Sequence, residues 1–220
     1  RYGTRDIDRA GEAATIAAGL PTLTAVVTLG YLSPETPTSR DLDGVTCSSW
    51  DDLLADDGPL TFRPVPFDHP LYVLFSSGTT GPPKPIIHGH GGILLEHHKA
   101  VGLYCDVQRG DRFFWFSTTG WMMWNFLISG LLVGSSVVLF DGNPGHPDLD
   151  VLWSLTADTK VTVAGFSAPF IMACRNAGLE PGATHDLSAL EGLGSTGAPL
   201  PAEGFRWAHE HVAKVPLSSI

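Results

Sequence analysis

The sequence predicts an α/β protein in which repeated αβ units build a largely parallel sheet with helices on both faces. Three observations carry that prediction. Short runs rich in β-branched and aromatic residues recur along the chain, among them Leu71-Tyr72-Val73-Leu74-Phe75 and Val137-Val138-Leu139-Phe140. Longer stretches with apolar residues at helical spacing separate them. From Phe113 to Phe140 there is no Asp, Glu, Lys or Arg, the composition of strands and helices covered from both sides.

The elements follow in order. An amphipathic helix is expected over residues 7–18, closed by Gly19-Leu20-Pro21 and followed by a strand over 23–29. Residues 33–70 read as a loose acidic connection with one short helix over 50–55. The run from Leu71 to Phe75 reads as a buried strand, residues 85–88 as another strand, and residues 93–104 as a helix. The charge-free stretch is longer than the roughly 20 residues that cross a bilayer. It nevertheless divides into a strand over 113–116, a turn at Ser117-Thr118-Thr119-Gly120, a buried helix over 121–133 and a strand over 137–140. That helix is too short to span. A helix over 149–157, a strand over 161–164, a helix over 168–177, a strand over 189–193 and a helix over 202–212 complete the pattern.

Composition narrows the function. At 220 residues with 43% hydrophobic and 16% charged residues, the chain can bury a substantial core and is not of the disordered class. Its net charge of −10 argues against a nucleic-acid or anionic-membrane surface, either of which wants a basic patch. Cys47, Cys105 and Cys174 are far apart, odd in number and without a C-x-x-C pair, so neither a disulfide framework nor a zinc site is suggested. With no signal-peptide pattern at the start, a reduced cytoplasmic setting is expected.

The densest chemistry lies in Ser76-Ser77-Gly78-Thr79-Thr80-Gly81-Pro82-Pro83-Lys84. Gly78 and Gly81 let backbone N–H groups close on an anion, four hydroxyls add donors, and Lys84 adds a full charge. Each hydrogen bond to a charged group contributes about 1.5–3 kcal/mol, so several together can fix a triphosphate. This is not the G-x-x-x-x-G-K-[ST] loop, because the glycines are three apart and Pro85 follows the lysine. The plainer reading is an ordinary Ser/Gly/Pro turn.

Other features divide between chemistry and packing. Gly192-Leu193-Gly194-Ser195-Thr196-Gly197 satisfies G-x-G-x-x-G, but Pro199 and Pro201 delay the helix that a dinucleotide fingerprint needs to open there. Trp121-Met122-Met123-Trp124 offers a large apolar surface with Asn125 as its polar group, and plain core is the competing reading. Among nine histidines only His88 and His90 could share a strand face, and no third ligand is evident, which argues against zinc.

Ser77-Gly78-Thr79-Thr80-Gly81-x-x-Lys84 resembles the phosphate loop of the adenylate-forming enzymes, the acyl-CoA synthetase superfamily. The run from His88 to His97 and the run from Thr118 to Asn125 carry the resemblance toward its acid–CoA ligases, and it covers most of the chain. The resemblance implies that ATP and a short carboxylate give an acyl-adenylate and pyrophosphate, after which CoA displaces AMP. Acetoacetate is the acid implied first, with acetate and propionate as alternatives. It assigns the phosphates to Ser76, Ser77, Gly78, Thr79, Thr80, Gly81 and Lys84, with Thr80 and Lys84 in the catalytic role, and the adenine to Gly197, Ala198 and Pro199. Many relatives carry Glu where Ala198 stands. Trp121, Met122, Met123 and Asn125 are expected to form the acid pocket. Mg2+ would arrive with ATP, held mainly by phosphates. The 220 residues are expected to be a partial N-terminal AMP-binding domain, without the mobile C-terminal domain and unable to complete adenylation alone. An ATP-binding module without catalysis, or an interaction domain that binds neither nucleotide nor acid, are the readings from other classes; oligomeric state stays open.

Overall fold

A computed structural model describes residues 2–31, 44–55, 58–76 and 81–220. The chain divides into two compact units, Arg1–Arg63 and Pro64–Ile220. In the first, helix α1 (Ala10–Ala18) leads to strand β1 (Ala25–Thr28), which pairs in parallel with β2 (Thr46–Ser49). Helix α2 (Trp50–Leu54) follows at once, because Ser49 and Asp52 form a reciprocal capping box that satisfies backbone N–H groups at its start. Strand β2 lies inside the stretch expected to be a loose connection. Its four residues, Thr-Cys-Ser-Ser, carry too little apolar pattern to announce a strand.

The second unit begins with a hairpin. Strand β3 (Pro70–Ser76) pairs antiparallel with β4 (Lys84–Gly89) in a two-stranded sheet of its own. Two expectations are corrected here. The run from Leu71 to Phe75 is not buried: Leu71, Val73 and Phe75 are 40%, 53% and 66% exposed. Nor does the glycine-rich loop leave a strand of the parallel sheet, since it joins the two strands of this hairpin. The cause is connection length. Residues 77–83 alone link Ser76 to Lys84, whereas a parallel crossover takes about a dozen residues or more.

Helix α3 (His90–His97) starts earlier than expected and widens into a π-helical stretch (His98–Tyr104), where a single regular helix was anticipated. Five strands then form the parallel sheet: β5 (Arg112–Trp115), β6 (Ser136–Val138), β7 (Val163–Ser167), β8 (Gly192–Thr196) and β9 (Leu217–Ser219). Their order is β6-β5-β7-β8-β9, all parallel. Strand β8 starts later than expected and contains Gly192 and Gly194, so most of the glycine cluster is strand rather than turn.

Helices cover both faces, as the composition predicted. Phe113, Trp115 and Val163 face helix α4 (Met123–Ile128) and the π-helical stretch, with Val101, Met123, Phe126 and Leu127. Phe114, Ala164, Phe166 and Leu193 face the other way. There they meet α5 (Val151–Asp158), α6 (Ala168–Asn176) and α8 (Ala202–His211), through Leu152, Trp153, Ile171, Cys174 and Trp207. A 3-10 turn (Ser129–Val133) extends α4, and a short α7 (Pro181–Thr184) precedes β8. Among the described residues no helix is long and apolar enough to cross a membrane. Inside the second core, the Trp153 indole N–H donates to the Cys174 sulfur at 3.4 Å, and burial pushes that thiol up to about 11.

His97 joins α3 to the first core. It is 7% exposed and stands edge-on to Phe126, with ring centroids 6.4 Å apart. Burial, reinforced by repulsion from His88, lowers its pKa below the ordinary 6.5, while Glu96 acts in the opposite sense. The unfolded chain therefore binds the proton more readily than the fold, and stability falls as pH drops through 6.5 toward the depressed folded value. Denaturant midpoints measured between about pH 7.5 and pH 5 should fall more for the parent than for His97→Gln. Parallel curves for the two would remove His97 from the acid sensitivity.

Candidate functional site

The strand order reverses at β5. The chain leaves β5 for β6 on one side, then crosses back to β7 on the other. In parallel sheets the crevice outside the carboxyl ends at such a reversal is where ligands bind. Here it is bordered by residues 116–122 after β5, by Ser167 at the end of β7, and by Gly197 after β8. Ser167 is occupied in capping α6, its hydroxyl accepting from the Phe170 N–H at 3.2 Å.

Two groups of candidate residues meet at this edge. A Cβ built on Gly197 would lie 3.7 Å from Cζ2 of Trp121, so the segment expected at the adenine and the segment expected at the acid are neighbours. Gly197 has φ +86, a left-handed conformation that glycine takes without cost and that carries the chain out of β8 toward α8. Gly197, Ala198 and Pro199 are all exposed. On the other side, Trp121 is half-buried and donates its backbone N–H to the Thr118 carbonyl in a tight turn at 3.1 Å.

The remaining members of the apolar group separate by burial. Met122 is 49% exposed, whereas Met123 is 3% exposed and packs into the core with Phe113 and Phe126. Asn125 is half-buried; its backbone N–H donates to the Met122 carbonyl at 3.0 Å, while its side-chain amide has no hydrogen-bond partner among the described residues.

The hairpin strands β3 and β4 belong to a sheet separate from the one that ends at that crevice. Ser77, Gly78, Thr79 and Thr80 lie outside the described residues. Flanking them, Ser76 and Lys84 are cross-strand partners at the end of the hairpin, both exposed, and Gly81 has φ +126. Lys84 has no ion-pair partner among the described residues, so its ammonium group is open to an incoming anion. Among the same residues no three His, Cys, Asp or Glu side chains gather as a metal cage.

Trp115, Gly165 and Gly194, which the sequence did not link, share one register row across β5, β7 and β8. A Cβ on Gly165 would fall 2.0 Å from Trp115 Cδ2, and one on Gly194 2.2 Å from its Cη2, so the indole lies flat on both glycines. A strand reading Gly-Leu-Gly, small on one face only, was the available signal.

The class is given by the chain as a whole: it belongs to the family of AMP-binding enzymes, which matches residues 7–219. Within that class it is 45% identical, over 219 residues, to the acetoacetyl-coenzyme A synthetase of Rhizobium meliloti (strain 1021), covering 98% of this chain and 33% of that protein. It is 36% identical to the acetoacetyl-CoA synthetase of Gallus gallus, covering 100% of this chain and 34% of that one. The solved acetoacetyl-CoA synthetase from Streptomyces lividans superposes with a TM-score of 0.89 at 47% identity, over 100% of this chain and 34% of that chain. An anthranilate CoA ligase, solved with anthranoyl-AMP, superposes with a TM-score of 0.73 at 25% identity, over 95% of this chain and 38% of its own. The chain thus spans about a third of the length of the relatives it matches.

The Gly197 turn yields a direct test. The built Cβ would meet only the Trp121 ring, at an ordinary van der Waals distance of 3.7 Å, so Gly197→Ala should meet no clash and pay only for the left-handed backbone, roughly 1–2 kcal/mol. Denaturant unfolding should show that loss, and an unchanged midpoint would mean the turn does not depend on φ.

Proposed function

We propose that this chain is the phosphate- and acid-binding part of an ATP-dependent acid–CoA ligase whose acid is acetoacetate. The observation that carries the reading is the closeness of Trp121 to Gly197, whose built Cβ would lie 3.7 Å from the indole, at the carboxyl edge of the parallel sheet beside the strand-order reversal. It would put the acid next to the nucleotide. The likeness to acetoacetyl-CoA synthetases supports the choice of acid, and the neighbour solved with anthranoyl-AMP supports an acyl-adenylate as the species such a site holds.

The chemistry follows from charge. A carboxylate oxygen attacks the α-phosphorus of ATP; the new O–P bond forms as the bond to pyrophosphate breaks, and the electron pair leaves with pyrophosphate. The CoA sulfur then attacks the acyl carbon, the C–O bond to AMP breaks, and the thiol proton passes to solvent. A carboxylate is already a nucleophile, so the first step needs alignment and neutralisation of the leaving charge rather than a base. In this reading Lys84 and Thr80 meet the leaving phosphates, with Ser76, Ser77, Gly78, Thr79 and Gly81 completing the cradle. Gly197, Ala198 and Pro199 seat the adenine. Trp121 and Met122 face the acid, Met123 backs them from the core, and the unpartnered Asn125 amide is the group offered to a keto oxygen. Mg2+ would arrive with ATP, held mainly by its phosphates, and would neutralise part of their charge.

Two measurements on the full-length enzyme test this. Lys84→Ala should slow pyrophosphate exchange by about 10²–10³-fold, with a smaller change in carboxylate KM; near-normal exchange would take Lys84 out of the mechanism. Trp121→Gly should raise kcat/KM for butyrate relative to acetoacetate, since each newly buried CH2 contributes about 0.8 kcal/mol. A ratio left unchanged would return Trp121 to packing alone.

A further inference from the structure

Trp115 is 1% exposed at the end of β5, and its indole N–H is buried with no acceptor among the described residues. A side chain present only to fill space would not carry such a donor, because Phe or Leu fills space without burying one. What the indole supplies instead is breadth. It reaches from β5 over Gly165 of β7 to Gly194 of β8, two positions at which any Cβ would collide with it.

The ring is also where both halves of the candidate crevice begin. Upward, Phe126 of α4 stands edge-on to it at a centroid distance of 5.1 Å and an interplanar angle of 87°, and Met123 lies in the same cluster. Helix α4 begins directly after Trp121 and Met122. Downward, the chain runs from Gly194 under the indole to Gly197 beside Trp121. One rigid bicycle therefore touches the strand that leads into Gly197 and the helix that opens after Trp121 and Met122.

We propose that Trp115 is a positioning residue for acid selectivity: as the platform between β8 and α4, it sets the gap between Gly197 and the Trp121–Met122 wall. This rests on the reading of that wall as the acid pocket. Trp115 need not touch the substrate. Narrowing or widening its platform shifts the wall, and a misplacement well under a side chain's width is enough to change which acid fits.

The test uses the full-length enzyme with Trp115→Phe, Gly194→Ala, their combination, and Trp121→Gly as the reference for the pocket. The quantities are kcat/KM for acetoacetate, acetate and butyrate, KM for ATP, and Tm. Trp115→Phe should change the acetoacetate-to-butyrate ratio on the order of tenfold while KM for ATP stays within about twofold. Gly194→Ala drives its methyl into Cη2, an atom that phenylalanine lacks. The double variant should therefore lie nearer Trp115→Phe than the product of the two single effects. If Gly194→Ala does not fold, Trp115→Phe alone decides. A lowered Tm with unchanged acid ratios would overturn the proposal and leave Trp115 as core. A shift with Trp121→Gly but not with Trp115→Phe would overturn it while the pocket stands; no shift with either would overturn both.

Discussion

Burial of one strand on both faces is the constraint on which the rest of the second unit depends. Strand β5 reads Arg-Phe-Phe-Trp, and its three aromatic residues are 1% exposed or less. Alternation along a strand sends Phe113 and Trp115 to one side and Phe114 to the other, so a single strand anchors two cores. Burying each such side chain contributes roughly 1.5–3 kcal/mol, provided both faces are covered. Covering them requires helices above and below, and connecting helices make the neighbouring strands parallel. The carboxyl-end crevice is a consequence of that arrangement rather than a separate invention.

The same burial accounts for the glycines of β7 and β8. A large ring on a central strand can lie flat only if its neighbours in the register row have no side chains. Gly165 and Gly194 meet that requirement at the cost of strand propensity. This is why the G-x-G-x-x-G pattern arises here without a dinucleotide: Gly194 serves packing, Gly197 serves a left-handed turn, and the residues between them are strand.

How legible the molecule was in its sequence follows from what each signal measures. The absence of charge from 113 to 140 reports two-sided burial, and it led to strand, helix and strand in that order. Apolar β-forming runs report strand but not partner, so the run from Leu71 to Phe75 looked like a buried parallel strand although it is an exposed hairpin arm. The short link from Ser76 to Lys84 held the missing information. Gly197 was legible as the end of a glycine cluster, and Trp121 as the start of an apolar helix. Their closeness was not, because it joins segments far apart in the chain through a sheet register that local pattern does not contain. Met123 shows the limit in the other direction, since an apolar run marks pocket and core alike and burial divides them.

Electrostatics set a further condition on the proposed ligand. A chain with net charge −10 repels a nucleotide at long range, but screening confines that repulsion to about 8–10 Å at physiological salt. Long-range charge therefore acts mainly on the rate of approach, and the bound state is decided by groups in direct contact. A site for phosphate in such a protein has to concentrate its donors, which fits the density of hydroxyls, glycines and one exposed lysine between Ser76 and Lys84. The acid side needs the opposite environment. In the proposed reading, Trp121, Met122 and the exposed Gly197 turn would offer an apolar surface with few donors, where a short acyl group would gain by leaving water while its carboxylate stayed toward the nucleotide. On that reading the two surfaces would belong to different elements, a hairpin and a sheet edge, and each could be tuned without disturbing the other.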